Sequence, residues 1–241
     1  WAASTMEGRS ELSIESALKV SKYVRIEQIK QIPFLEFFHT IPLLSYVRFA
    51  KWNEILSYEK PIDEFKFSLG IYHYARSIAF ASTGDIYRAI EEQEKILPLK
   101  DASEIKVIIK AGQPSDKLLA IANHLAMGQI ELANMNIDDS IMHFKMAVEE
   151  QDGLPYREPE FWYYPTRQSL GHALLLNKDF EEAVSVFKQD LKDYPRNGWS
   201  YYGLYKAFKG LDNIELSNEA LIKHQEIWQM SDVELKSSII Y

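Results

Sequence analysis

The feature that most constrains how this chain of 241 residues can fold is a recurrence inside it. Gly128 is followed by Phe144 and Gly171 by Phe187, each pair 16 residues apart and the second pair 43 residues after the first. Self-similarity at a period of tens of residues marks stacked-repeat architectures, in which one unit buries its apolar surface only against its neighbours. The recurring unit is helical. Phe180, Ala183, Val184, Phe187 and Leu191 fall at i, i+3, i+4, i+7 and i+11, the stripe of an amphipathic helix. Ile137, Ile141, Phe144 and Val148 repeat that stripe, with Ala147 as a small neighbour. Asp179 followed by Glu182 predicts a capping box at the start of the later helix. Between the two units, QDGLPYREP at 151–159 reads as an inserted loop.

The segment YPTRQSLGHALLLNKDFEEAVSVFKQDLKDYP, from Tyr164 to Pro195, resembles the tetratricopeptide repeat, a helical hairpin of about 34 residues. Leu170 and Gly171 stand at the family's Leu-Gly pair, Phe180 at its aromatic turn site, Ala183 and Phe187 in its second helix, and Pro195 at its end. Small residues at 171 and 183 suit a place where two helices cross, and Phe187 suits the groove left by the crossing. Asp190 departs from the pattern, which has alanine there. The stretches Trp162 to Leu175 and Pro195 to Leu204 are similar to a WYYPxRxSLGxALL segment and a following PxNxWxxxGL found in bacterial tetratricopeptide proteins.

On this reading the chain is all-α, a right-handed superhelix of antiparallel helical hairpins forming one repeat domain over 1–241. Units fall at 63–100, 115–151, 160–195 and 197–230, after an irregular hairpin at 26–62 that Pro33, Pro42 and Pro61 break into short pieces. The first unit, 1–25, reads as truncated. The chain opens with Trp1 rather than methionine, so it is expected to be the C-terminal part of a longer protein.

Composition removes several function classes. A formal charge of -8, with no clustered lysine or arginine, disfavours nucleic acid as a partner. There is no cysteine, which excludes disulfides, zinc-thiolate sites and thiol catalysis. No apolar run approaches the ~20 residues of a membrane span; the best candidate, near Ile41 to Phe49, is interrupted by Ser45, Tyr46 and Arg48. His39, His73, His124, His143, His172 and His224 are isolated from one another, without the spacing of metal ligands, although His73 and His124 hold equivalent places in successive units. Phosphate-cradling glycine loops, dinucleotide fingerprints and nucleophile elbows are absent. Glu91 with Glu92, Glu149 with Glu150 and Glu181 with Glu182 read as solvated helix faces. No catalytic residue, cofactor or metal is expected. Compartment and oligomeric state are not encoded legibly, with the cytoplasm favoured over the periplasm.

The resemblance implies a concave surface lined by the first helix of each unit. Its inner positions fall on Ile71 and Tyr74, on Leu125, Gln129 and Leu132, on Gln168, His172 and Leu175, and on Trp199, Tyr202 and Lys206. Aromatic anchors and amides suit a protein or peptide partner. The expected partner-binding residues are therefore Tyr74, Gln129, Gln168, His172, Trp199, Tyr202 and Lys206. Trp162, Tyr163 and Tyr164 with Arg167 form a dense aromatic cluster in which a cation could lie over a ring. The leading expectation is a non-catalytic scaffold. The alternatives are a small-molecule or metal-binding accessory domain with a pocket at the irregular N-terminal region, and a helical auxiliary domain of a larger enzyme.

Overall fold

A computed structural model describes residues 1–240. It is 72% helical, and no strand occurs among the described residues. Short helices α1 (Ala2–Met6), α2 (Ser10–Tyr23) and α3 (Ile26–Gln31) lead into α4 (Phe37–Arg48) and α5 (Trp52–Leu56). Four hairpins follow, made of α6 (Lys66–Ser82) with α7 (Ile86–Gln93), α9 (Ser115–Ala133) with α10 (Ile137–Asp152), α11 (Arg167–Asn177) with α12 (Phe180–Asp193), and α13 (Gly198–Gly210) with α14 (Ile214–Ile227). One further helix, α8 (Ser103–Lys110), lies between the first two hairpins in a stretch to which the sequence reading gave no element.

The hairpins stack. α6 packs on α9, α10 on α11, and α12 on α13, while α4 packs on both α2 and α6. One contiguous apolar core runs from Leu43 in α4 through Phe144 and Phe187 to Ala220 in α14, so no hairpin closes a core of its own.

Glycine and phenylalanine recur for a steric reason. A Cβ on Gly128 would run into the Phe144 ring, and a Cβ on Gly171 into that of Phe187. Phe187 is also the obstacle to a Cβ on Gly203 of the next hairpin, so one ring locks two successive units together. The turns repeat as well. Gly84, Met135, Lys178 and Asp212 each adopt positive φ immediately before an Asp or Asn that caps the second helix: Asp85, Asn136, Asp179 and Asn213. Asp85 Oδ1 accepts from Arg88 N at 3.1 Å, and Asn213 Oδ1 from Leu216 N at 3.1 Å.

Two local expectations need correction. Asp179 is the N-cap of α12, but the capping box does not form: the Asp179 carboxylate accepts from Asn177 Nδ2 at 2.7 Å, and Glu182 pairs with Lys145 of α10 at 2.7 Å. The partners offered by the neighbouring turn and helix displace the local ones. Pro42 does not break the chain either, because α4 runs through it. A proline inside a helix costs about 3 kcal/mol. Ile41, Leu43 and Leu44 are buried beside it, each worth about 1.5–3 kcal/mol, and their burial offsets that penalty.

Candidate functional site

The face formed by α6, α9, α11 and α13 carries every residue that the sequence reading selected for a partner. Where that reading foresaw an open hollow, the chain covers this face with parts of itself. Tyr74, Gln168 and Trp199 are buried to within 1%. Gln129 is also buried, with its Nε2 donating to Ser82 Oγ at 3.3 Å, while His172 and Tyr202 are partly covered and Lys206 is exposed. The expectation that Tyr74 and Trp199 are free anchors and Gln168 a free amide for a partner is thus corrected: the tertiary fold supplies their contacts.

One cover is the end of α4. Arg48 donates from Nη2 to Gln168 Oε1 at 2.6 Å, and its guanidinium lies 3.5 Å from the centre of the Trp199 ring and 4.8 Å from that of Tyr164. A guanidinium is planar and weakly hydrated, so it can stack between rings inside a core where an ammonium could not. The cation in the aromatic cluster is therefore Arg48. Arg167, the residue expected there, instead holds Asp152 through two bonds at 2.7 and 2.6 Å, because it opens α11 beside the end of α10. The cluster itself is assembled: Tyr74 Oη and Tyr163 Oη are 2.9 Å apart, Tyr164 Oη meets Ser169 Oγ at 2.8 Å, and Trp162 lies edge-on to Tyr74 at 5.6 Å.

The second cover is segment 231–240, which follows α14 and has neither helix nor strand. Its start is clipped to the front of the chain: Ser10 N and Glu11 N both donate to the Asp232 carboxylate, at 2.6 and 3.0 Å, and Ser231 Oγ donates to the Gly8 carbonyl at 2.9 Å. Leu235 then packs with Trp199 and Phe49. Ser237 Oγ lies 2.5 Å from His172 Nδ1, and Ser238 Oγ donates to the Gln168 carbonyl at 2.8 Å. Ile239 joins Val47, Tyr74, Ile78 and Leu125 around a void of about 20 Å³. The segment therefore passes from α13 across α11 to α6 and α9, and we call it the strap.

Burial sets the charges. It pushes the His172 imidazole down to about 4, so the ring facing Ser237 is neutral at neutral pH. Asp190, the departure from the repeat pattern, is raised by burial to about 7, although Asn197 Nδ2 donates to it at 2.7 Å and Ser200 Oγ also donates. Burial would likewise raise Glu92, but the hydrogen bond from His73 and the charges of His73, Arg76 and Lys95 prevail and bring it down to about 2. Glu92 is thus a buried ion-pair partner of Arg76, whose Nε lies at 3.2 Å, rather than a solvated acid, and it is hydrogen-bonded to His73 Nδ1 at 2.6 Å. His73 is committed there. His124 stacks on His143 of the same hairpin, with ring centres 6.0 Å apart.

Among the described residues no group of three or more histidine or acidic side chains is placed to hold a metal ion, and no helix is long and apolar enough to cross a membrane. Sequence reasoning missed Arg48 and the strap. For Arg48 the signal was a lone cation inside an otherwise apolar run, the mark of a charge with a buried partner. No family model matches the chain, and no curated protein matches it.

Proposed function

We propose that this chain is a non-catalytic scaffold of the tetratricopeptide kind, its hairpins stacked in a right-handed superhelix, and that the face of first helices binds a segment of another polypeptide. The repeat geometry supports the fold reading: the left-handed turn residues Lys178 and Asp212 are 34 positions apart, the length of one unit of that family, and Phe187 joins the two units between them. The observation that carries the functional reading is the strap, a stretch of irregular polypeptide lying across the first helices of all four hairpins with apolar side chains inserted and hydroxyls bonded to the helices. A face that accommodates one such segment has the chemistry to accommodate another.

The test is site-specific photocrosslinking in cells, with p-benzoylphenylalanine at Tyr202 or Lys206 on this face, and at the exposed Tyr87 on a second helix as control. Protein adducts at 202 and 206 but not at 87 support the reading; adducts at 87 alone, or none at all, reject it.

A second reading, a small-molecule accessory module, draws on one cavity. About 300 Å³ of space beside the aromatic cluster is lined by Tyr156, Trp162 and Tyr194 and by the carboxylates of Glu158, Glu160 and Asp193. That lining suits a small organic cation, and a thermal-shift screen with alkyl diamines distinguishes it from the polypeptide reading.

A further inference from the structure

The strap resembles a bound ligand in its contacts, yet it fits imperfectly. Its two buried anchors, Leu235 and Ile239, are four residues apart, and Glu234 and Lys236 on either side of the first are both exposed. Between the anchors, Ser237 and Ser238 supply the only hydrogen bonds described from this part of the strap, and both use side-chain hydroxyls. The segment has no helix or strand of its own, so little cooperative structure resists its departure. Beneath the strap, one buried group remains unmatched. Gln168 is fully buried and its Nε2 has no acceptor, which leaves a donor that has lost its hydration without a replacement bond. An occupant that placed a carbonyl at Gln168 Nε2 would therefore gain over the strap on the same surface.

We infer that the strap is an internal competitor for the first-helix face, and that the partner is a polypeptide segment with two apolar side chains four residues apart and hydroxyl residues between them, which binds by displacing residues 233–240. This inference rests on the proposed polypeptide site and adds to it the recognition pattern and the gating. Displacement leaves the clip at Asp232 in place, so the strap stays tethered and returns when the partner leaves. Its effective concentration at the face is high, and the apparent affinity for a partner falls by the fraction of molecules in which the strap is open.

The experiment uses the full chain and a full-length variant with Leu235→Asp and Ile239→Asp, both checked for helicity by circular dichroism. The probe is a fluorescein-labelled peptide of residues 231–240, compared with a peptide of the same composition in which the two anchors are made adjacent; binding is read by anisotropy. The variant is expected to bind the native-order peptide at least about tenfold more tightly than the unmodified chain does, and about tenfold more tightly than it binds the rearranged peptide. Equal affinities of the two chains overturn the gating, and equal affinities for the two peptides overturn the recognition pattern; either leaves the polypeptide site standing. Absence of binding by a folded variant to both peptides removes the site as well. Should the variant lose helicity, hydrogen exchange on the unmodified chain decides: amides of 233–240 exchanging at least about a hundredfold faster than those of α9 support an opening strap, and exchange only with global unfolding refutes it.

Discussion

The guanidinium of Arg48 lies 3.5 Å from the centre of the Trp199 ring, joining the end of α4 to the start of α13 across the interior of the stacked hairpins. Arg48 is 4% exposed and also binds Gln168, so three elements distant in sequence meet at one side chain. Arg48→Ala is expected to lower stability by about 3 kcal/mol, through the lost stacking and the stranded Gln168 carbonyl oxygen. Arg48→Lys should recover less than half of that, because an ammonium lacks the plane that the ring requires. Urea denaturation with an unchanged slope measures both; full recovery by lysine would show that charge alone matters.

Phe187 touches both Gly171 and Gly203, and it couples the units that they belong to. Each glycine replaced by alanine should cost about 1–3 kcal/mol by overpacking. Combining Gly171→Ala with Phe187→Leu should cost less than the two changes summed by about 1 kcal/mol, since the smaller side chain makes room for the new methyl. Strict additivity in a double-mutant cycle would contradict the contact.

Lys178 holds positive φ at a turn where the equivalent residue of the first hairpin is Gly84. A side chain in that conformation carries a penalty that glycine escapes. Lys178→Gly is expected to raise stability by about 0.5–1 kcal/mol, and Gly84→Ala to lower it by about 1 kcal/mol, both read from thermal midpoints.

Two buried groups give opposite dependences on pH. His172 is depressed to about 4, so the unfolded chain takes up its proton first on acidification; the stability from the neutral ring is present above pH 6.5 and is lost as pH falls towards 4. Asp190 is raised to about 7, so the folded state holds its proton more tightly; that contribution is complete below the unfolded value near 3.8 and is lost as pH rises through 7. Asp190→Asn keeps an acceptor for Asn197 and Ser200 and should flatten the alkaline side of a stability–pH curve, whereas His172→Gln should flatten the acidic side. Unchanged curves for both variants would deny the shifts.

Much of the helical framework is readable from local pattern. Phe180, Ala183, Phe187 and Leu191 announce α12 because a helix brings every third or fourth side chain to one face, and that periodicity needs no knowledge of the remainder of the chain. Gly128 and Gly171 are equally legible, since a missing Cβ opposite a large ring is a constraint within one hairpin. The path of the first-helix face could likewise be placed on Tyr74, Gln168, His172 and Trp199, and the structure brings Tyr74, Gln168 and Trp199 into one interior.

Whether that face is open is a different kind of question. Ser238 reaches Gln168 across 70 positions and Arg48 reaches it across 120, while Asp232 holds the start of α2 from 222 positions away. Sequence alone determined that helices form, where they turn and which of their sides must be buried, because those outcomes depend on neighbours within one or two turns. Only the tertiary structure decided what buries the first-helix face, because closing such long loops is settled by the summed packing of the whole stack and leaves no periodic trace along the chain.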